Sequence, residues 1–574
     1  MTGAKIVIEC LIEQGVDLVF GYPGGTILNI YDELYKNQDR ITHILTAHEQ
    51  GACHAADGYS RSTGKTGVVL ATSGPGACNL VTGIATAYMD SVPLVAITCN
   101  VGRSWLGKDS FQEVDIAGVT APITKHNYIV QDVRHLSGTI REAFVIAQAG
   151  RPGPVLIDIP KDVTAAAAEF EYALHRLAAP SEASAEPGSA ERIVRVTREQ
   201  RPEEQEIAKA ASLINAAKQP VIYAGGGVVI SGACGQIRAL AEKAHIPVVV
   251  SLMGKSAFPA AHPLCCGMIG MHGTKAANCA ASNADLIIAV GARFSDRVIS
   301  DPAKFARQAQ VLHIDIDPAE INKNIHADIA LIGNIQDIIP RLLPPVDARM
   351  AASWNAQVNA WKEDVPPAYL KHTPESLYPK FIFEKVHELL GDDAILVTDV
   401  GQHQMWAAQF YPFARPRSFL TSGGLGTMGY GLGAAIGAQA ANPDRTVVLA
   451  VGDGGFRMNC NELATISHYG FPVIILVMNN GVLGMVRQWQ RLLYDKRFSQ
   501  TTLDFGPDFV KLADAYGVRA FNASTESEFT AAFREILTRR EAALIDCRID
   551  RDTNVLPMVP GGKPIDKPLL EIAA

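Results

Sequence analysis

Two short segments of this chain carry oxygen ligands at a spacing that can do chemistry. Gly452-Asp453-Gly454 follows the apolar run Thr446–Val451, and Asn479-Asn480 closes a second run, Val473–Met478. The pattern predicts two buried strands joined by a helix around Asn459–His468, with Asp453 and Asn480 at neighbouring strand tips. Ligands of open α/β sheets bind at such carboxyl ends. A carboxylate, an amide oxygen and one backbone carbonyl leave an octahedral Mg²⁺ room for two phosphate oxygens and a water. Gly452, Gly454 and Gly455 let the turn approach a diphosphate closely. Either segment alone reads as an ordinary turn; the combination is the specific signal.

The elements that must position these residues occur twice. Ser73-Gly74-Pro75-Gly76 is followed 20 residues later by Pro93 and 27 later by Asn100, and Gly452 is followed at the same offsets by Pro472 and Asn479. Ile84-Ala85-Thr86 lies opposite Leu463-Ala464-Thr465. Matched offsets of this kind indicate duplication of one α/β unit. Where the second copy has Asp453 and Asn480, the first has Gly74 and Val101. The second copy is therefore expected to hold a metal, and the first to do something else. The first also carries Ala47-His48-Glu49-Gln50-Gly51, opening a small-residue helix through Ala56. A glutamate at a helix start is ordinarily a solvated cap residue.

The rest of the chain fits this architecture. Its 574 residues suit three large α/β domains. Continuously apolar runs alternate with helical stretches, among them Thr66–Ala71, Val92–Thr98, Val155–Ile159, Pro220–Ala224, Leu286–Val290, Val311–Ile316 and Ala394–Val397. Such runs mark strands of a mostly parallel sheet buried on both faces. Linker-like composition near 166–205, including Pro180–Gly188, and prolines near 346–378 divide the chain. The expected units are 1–165, 206–345 and 379–550, with a tail at 551–574. A net charge of 51 − 59 = −8 argues against a nucleic-acid binder. No apolar run reaches the ~18 residues of a membrane span. No signal-peptide pattern and no C-x-x-C pair are present, so the ten cysteines are expected to be reduced and the protein cytoplasmic.

The Gly-Asp-Gly…Asn-Asn pair resembles the thiamine-diphosphate signature. In that chemistry a buried carboxyl such as Glu49 hydrogen-bonds the aminopyrimidine ring and promotes removal of the thiazolium C2 proton. An apolar wedge, for which Met428 in Gly424-Leu425-Gly426-Thr427-Met428 is suited, keeps the cofactor bent. Over nearly its whole length the chain resembles the catalytic subunit of acetohydroxyacid synthases (biosynthetic acetolactate synthases). The matching segments include Phe20–Gly25, His48–Ala52, Ser73–Ala77, Phe111–Glu113, Gly150–Val155, Val400–Met405, Ser422–Gly429 and Asn480–Gln490. The last two point to this family within the superfamily. The resemblance implies that Val400, Gly401, Gln402 and His403 line the diphosphate site and that Gly426 and Met428 hold the aminopyrimidine. It implies Asp453, Asn480 and the Val482 carbonyl as Mg²⁺ ligands, with Tyr22 and Pro23 also beside the cofactor. Gly25, Phe111, Gln112 and Lys125 would come from a partner subunit and face the reacting carbon. Trp489 and Met485 would line the acceptor pocket, and Arg297 would meet the acceptor's carboxylate.

The middle domain has Gly225-Gly226-Gly227 after the strand Pro220–Ala224. Alone these read equally as a tight turn. Asp315, at the end of a later strand, could take a ribose hydroxyl. Family members with such segments bind FAD there, which implies roles for Arg151, Gly225–Gly227, Met271, His272, Gly291, Arg293, Asp315, Ile316 and Glu320. Ala121, Gly102, Asn334 and Asn100 depart from common family residues and bear on flavin affinity and inhibitor sensitivity. His54, His126 and Cys53 read as structural. The expected reaction joins pyruvate to a second 2-keto acid, giving 2-acetolactate or 2-aceto-2-hydroxybutyrate, in a homodimer or homotetramer to which a regulatory small subunit often binds. A pyruvate oxidase-like enzyme, a flavin-free catabolic synthase and a catalytically silent nucleotide-binding scaffold are the alternatives.

Overall fold

The computed structural model describes residues 1–172, 200–349, 352–364 and 374–572. Strands β1 (Leu18–Tyr22), β2 (Thr42–Leu45), β3 (Gly67–Ala71), β4 (Leu94–Asn100), β5 (His126–Ile129) and β6 (Pro154–Pro160) form a first sheet in the order β2-β1-β3-β4-β6-β5. Strands β7 (Pro220–Ala224), β8 (Val248–Val250), β9 (Cys265–Met268), β10 (Leu286–Val290), β11 (Gln310–Asp315) and β12 (Ile329–Ile332) form a second, ordered β12-β11-β10-β7-β8-β9. The third comprises β13 (Ile395–Thr398), β14 (Phe419–Leu420), β15 (Val447–Gly452), β16 (Ile474–Asn479), β17 (Arg519–Ala523) and β18 (Ala543–Arg548), ordered β14-β13-β15-β16-β18-β17. All these pairings are parallel. The central strands β3, β4 and β6 are buried along their whole length, as their unbroken apolar runs predict.

The first and third sheets share one strand permutation, so the duplicated unit is a duplicated fold. The likeness extends to side chains. Asn100, at the end of β4, donates to Asp158 on β6 at 2.7 Å, and Asn479, at the end of β16, donates to Asp546 on β18 at 2.8 Å. Burial raises both aspartates above the usual carboxylate range, and the asparagine amides oppose that rise.

The two copies pack on each other through small residues. Helix Glu49–Thr63 crosses helix Tyr430–Ala441 so closely that a Cβ at Gly58 would overlap the Ala434 carbonyl, and one at Gly437 the Ala55 carbonyl. The small-residue run after Glu49 is thus the contact that sets the first domain against the third.

Some boundaries differ from expectation. Pro180–Gly188 and Pro366-Pro367 lie outside the described residues. Within 346–378, however, Ala352–Glu363 is a helix whose buried Trp354 donates to the Pro220 carbonyl at 3.0 Å, so this stretch packs onto the middle domain. The single helix expected around Asn459–His468 is two, Asp453–Asn459 and Leu463–Tyr469, joined by the turn Cys460–Glu462. Asn459 leaves helical geometry at φ −135° while its amide donates to the Gly429 carbonyl. The tail also docks: Val555 N–H donates to Gln488 and Val559 N–H to the Met271 carbonyl. Among the described residues no helix is long and apolar enough to cross a membrane, and all ten cysteines are free.

Candidate active site

Strands β13, β15 and β16 are neighbours, and their carboxyl ends present Asp399–His403, Gly452–Gly455 and Asn479–Val482 along one edge. Gly401, at φ +150°, starts helix Gln402–Phe410, and Gly452 caps helix Asp453–Asn459. Two helix starts therefore aim N–H groups at this edge, an arrangement that favours anions. His403 is buried between the two turns, and a Cβ at Gly401 or Gly452 would lie 3.1 Å from its ring. Burial pushes the imidazole down to about 3, so it is neutral near pH 7. Its Nε2 has no hydrogen-bond partner. A buried polar atom left this way costs about 1–3 kcal/mol unless a ligand satisfies it. This donor set fits a diphosphate.

Asp453 is 4% exposed, and burial raises its carboxyl to about 7. The Asn480 amide donates to Gln402 at 3.2 Å, and its Oδ1 accepts from Val482 N–H at 3.1 Å. Among the described residues no group of three or more His, Cys, Asp or Glu side chains forms a metal cage. One carboxylate, one amide oxygen and one carbonyl suit Mg²⁺, which is usually held by few protein oxygens together with phosphate. Met428 and Gly426 come to the same edge: the Met428 Cε is 3.7 Å from where a Gly454 Cβ would stand, and Val400 Cγ1 is 3.9 Å from that of Gly426.

The segment 421–431, which carries Gly426 and Met428, is fixed by residues that no short sequence pattern marks. Asp90 accepts from Gly423 and Gly424 N–H at 3.0 and 2.7 Å, and half-buried Arg61 joins Asp90, Asp57 and the Thr421 carbonyl. Asp399 accepts from Val400, Gly429 and Gly431 N–H, and burial raises it to about 6.

In the first domain Glu49 is the first residue of its helix and is buried, so it is no solvated cap. Its Oε2 accepts from the Asn79 amide at 2.9 Å. Glu462 of the third domain, also buried, accepts from Ala47 and His48 N–H at 3.1 Å each and so holds the start of this helix. Glu462→Ala leaves the half-buried Ala47 and His48 amides without their acceptor, and a loss of about 1–3 kcal/mol is expected in urea unfolding. An unchanged midpoint would show that water replaces the carboxylate.

Gly25 opens onto free space, and Phe111 is 87% exposed. Tyr22 is exposed and Pro23 half-buried beside them. Gln112, at φ +59°, sets its carbonyl against Gly74. Lys125 is turned inward: its amine donates to the Ile146 and Ala149 carbonyls at the end of helix Leu136–Gln148, and burial pushes it down to about 8.

The second sheet has the 3-2-1-4-5-6 order of dinucleotide-binding folds, with the order reversing between β7 and β10. Gly225–Gly227 follow β7 and Gly291–Arg297 follow β10, so both turns stand at that crevice. They also pack on each other, since a Cβ at Gly227 would lie 2.7 Å from Gly291 Cα. Asp315 ends β11 just before Ile316, and burial raises it to about 6. Arg151 of the first domain pairs with Glu320 at 2.8 Å and Asp317 at 3.2 Å, a strut between domains. Arg293 donates to the Met89 carbonyl, while buried His272 leaves Nδ1 unpartnered. Trp489 packs with Met271, Leu556 and Met558, and Met271 N–H donates to the Arg297 carbonyl at 2.8 Å. Trp489 and Arg297, whose side chain is largely exposed, thus share one neighbourhood, whereas Met485 packs against the third-domain core.

Comparison with known proteins agrees with this layout. Models of the thiamine pyrophosphate enzyme N-terminal TPP binding domain, central domain and C-terminal TPP binding domain match residues 1–119, 207–342 and 399–547. The acetolactate synthase large subunit of Pyropia yezoensis is 46% identical over 572 residues, covering 98% of this chain and 94% of the relative. The acetolactate synthase of Arthrospira platensis is 46% identical over 576 residues, covering 98% and 96%. That of Mycobacterium bovis is 45% identical over 579 residues, covering 99% and 91%. Three thiamine pyrophosphate enzyme domains in sequence, and this identity carried through nearly the whole length, mean that the chain belongs to the acetolactate synthase large-subunit family of thiamine pyrophosphate-dependent enzymes.

Proposed function

We propose that the protein releases CO₂ from pyruvate and joins the remaining two-carbon unit to a second 2-keto acid. Pyruvate as acceptor gives 2-acetolactate, and 2-ketobutyrate gives 2-aceto-2-hydroxybutyrate. The observation that carries this reading is the convergence of Asp453, Asn480, two helix starts, His403 and Met428 on one strand edge of a chain with these relatives. Thiamine diphosphate, when bound, supplies a carbon that adds to the keto group and holds the electron pair left by CO₂. Asp453, Asn480 and the Val482 carbonyl would hold Mg²⁺, and the Gly401 and Gly452 turns with His403 would receive the diphosphate. Met428 would pack against the cofactor, and the buried Glu49 carboxyl would hold and return a proton at its aminopyrimidine ring.

Glu49 belongs to the first domain and the diphosphate edge to the third. A second copy that brings its Glu49, open Gly25 and exposed Phe111 to this edge would complete the site, and Gln112 would follow with them. The crevice at the reversal of strand order, which Gly225–Gly227 and Gly291–Arg297 both border, would take FAD. Several relatives are named large subunits, which supports a smaller regulatory partner.

Incubation with pyruvate, Mg²⁺ and thiamine diphosphate is expected to yield 2-acetolactate and CO₂. With inorganic phosphate added in air, acetyl phosphate formed with oxygen uptake would replace this reading with a pyruvate oxidase. Flavin absorbance of the purified protein tests FAD, and its absence would favour a flavin-free synthase.

Acceptor choice offers a second test. The two acceptors differ by one methylene, worth about 1–3 kcal/mol in an apolar pocket. Trp489 is a rigid, half-buried indole in the neighbourhood of Arg297. Trp489→Leu is expected to lower the preference for 2-ketobutyrate about tenfold while pyruvate self-condensation persists. An unchanged product ratio in a competition assay would remove Trp489 from the acceptor pocket.

A further inference from the structure

We propose that Asn79 is a positioning residue for Glu49: it commits one carboxylate oxygen, Oε2, to accepting a hydrogen bond and leaves Oε1 as the edge that exchanges a proton with the cofactor. The inference rests on the role given to Glu49 above and adds which of its oxygens performs it.

The Asn79 Nδ2 stands 2.9 Å from Glu49 Oε2. An amide N–H₂ only donates, so Oε2 must meet it with a lone pair. A proton on that oxygen would face the amide's own hydrogen. The proton that Glu49 gives and takes back is thereby directed to Oε1. Gly76 keeps that oxygen accessible, because a Cβ there would stand 3.1 Å from it. Asn79 closes the short helix Pro75–Asn79, which starts at the Ser73-Gly74-Pro75-Gly76 turn.

This turn is the first-domain counterpart of Gly452-Asp453-Gly454, offset by 452 − 73 = 379 residues. At the same offset Asn79 corresponds to Met458, an exposed side chain without a strong donor. The metal-binding copy has a carboxylate in its turn and no strong donor at the position equivalent to 79; its helix ends one residue later at Asn459, whose amide is committed to the Gly429 carbonyl. The other copy has glycine in its turn and the donor. The duplicated element has thus been given two jobs, holding a cation in one domain and orienting an acid in the other.

The test uses the protein loaded with thiamine diphosphate and Mg²⁺, and compares Asn79→Ala, Asn79→Asp, Asn79→Ser and Glu49→Gln with wild type. Three readouts are taken: C2 proton exchange by quenched NMR, the near-ultraviolet circular dichroism of the aminopyrimidine, and thiamine diphosphate affinity by calorimetry. Asn79→Ala is expected to slow exchange about tenfold to a hundredfold, the range for one hydrogen bond to a charged group, with affinity within about threefold. The dichroism band should weaken in parallel. Asn79→Asp should be slower still, because it offers no donor and sets a like charge against Glu49. Asn79→Ser, which can donate, should recover part of the rate.

Exchange within twofold of wild type in Asn79→Ala, with Glu49→Gln slow, would overturn the role of Asn79 alone. Wild-type exchange in Asn79→Asp would mean that position 79 accepts rather than donates, and would overturn the oxygen assignment. Loss of cofactor binding in both the alanine and serine variants would reduce Asn79 to a structural role. Normal exchange in Glu49→Gln would instead sink the role of Glu49, and this inference with it.

Discussion

Glu49→Gln is expected to bind thiamine diphosphate and yet to exchange its C2 proton about 10²–10⁴-fold more slowly, the usual contribution of one acid–base group. The substitution is nearly isosteric. The amide oxygen of the substituted side chain can still accept from Asn79, and the backbone of residues 47 and 48 stays tied to Glu462, so the helix start keeps its place. What disappears is a proton that can leave and return. The Glu49 side chain is 8% exposed, so bulk water has little access to substitute for it. Quenched NMR of the loaded protein reads the rate directly, free of later steps in the turnover. Near-normal exchange would remove Glu49 from cofactor activation.

The residues proposed to carry the chemistry are legible in the sequence because each belongs to a short, local pattern. Gly452-Asp453-Gly454 and Asn479-Asn480 sit at strand ends that apolar runs announce, and the repeat fixes their relation to Ser73–Gly76 and Asn100. The matching strand permutations of the first and third sheets follow from that repeat. The residues that hold the site in place were not legible. Arg61 reaches Thr421, 360 residues away, and Tyr430 reaches Asp57 across 373. Such pairs leave no period and no spacing, since their partners meet only after two domains have folded and packed. Glu462 likewise serves a helix in another domain. Lys125 illustrates the converse: a resemblance places it by position in the chain, but the direction of its side chain depends on the Ile146 and Ala149 carbonyls. Prolines near 344–378 read as a linker because their local signal is strong. The burial of Trp354, which makes Ala352–Glu363 part of the middle domain, depends on a surface that only the fold creates.

Asp453→Ala is expected to act in opposite directions on the loaded and the cofactor-free protein. Removing an orienting residue around a metal already costs about 10–100-fold in affinity, so losing an anionic ligand should weaken thiamine diphosphate binding about a hundredfold or more at low Mg²⁺. High Mg²⁺ should recover part of it, because Asn480, the Val482 carbonyl and the diphosphate still supply oxygens. Calorimetry at two Mg²⁺ concentrations reads both effects, and unchanged affinity at low Mg²⁺ would put the metal elsewhere. Without cofactor the sign reverses. Burial raises the Asp453 carboxyl to about 7, against about 3.9 in an unfolded chain. The folded state therefore holds this proton more tightly than the unfolded state does. Below about pH 4 both forms are protonated and the group is neutral in effect. As pH rises from about 4 to 7 the unfolded chain ionises first and the fold loses stability, by a few kcal/mol in all at roughly 1.4 kcal/mol per pH unit. Alanine carries no such penalty. Urea unfolding of the two cofactor-free proteins should show the variant gaining on wild type through that window and holding its lead above it, while Mg²⁺ with thiamine diphosphate restores wild type alone. A stability difference independent of pH would mean that Asp453 is ionised in the metal-free fold without cost, and that the edge formed by β13, β15 and β16 is not built around a missing positive charge.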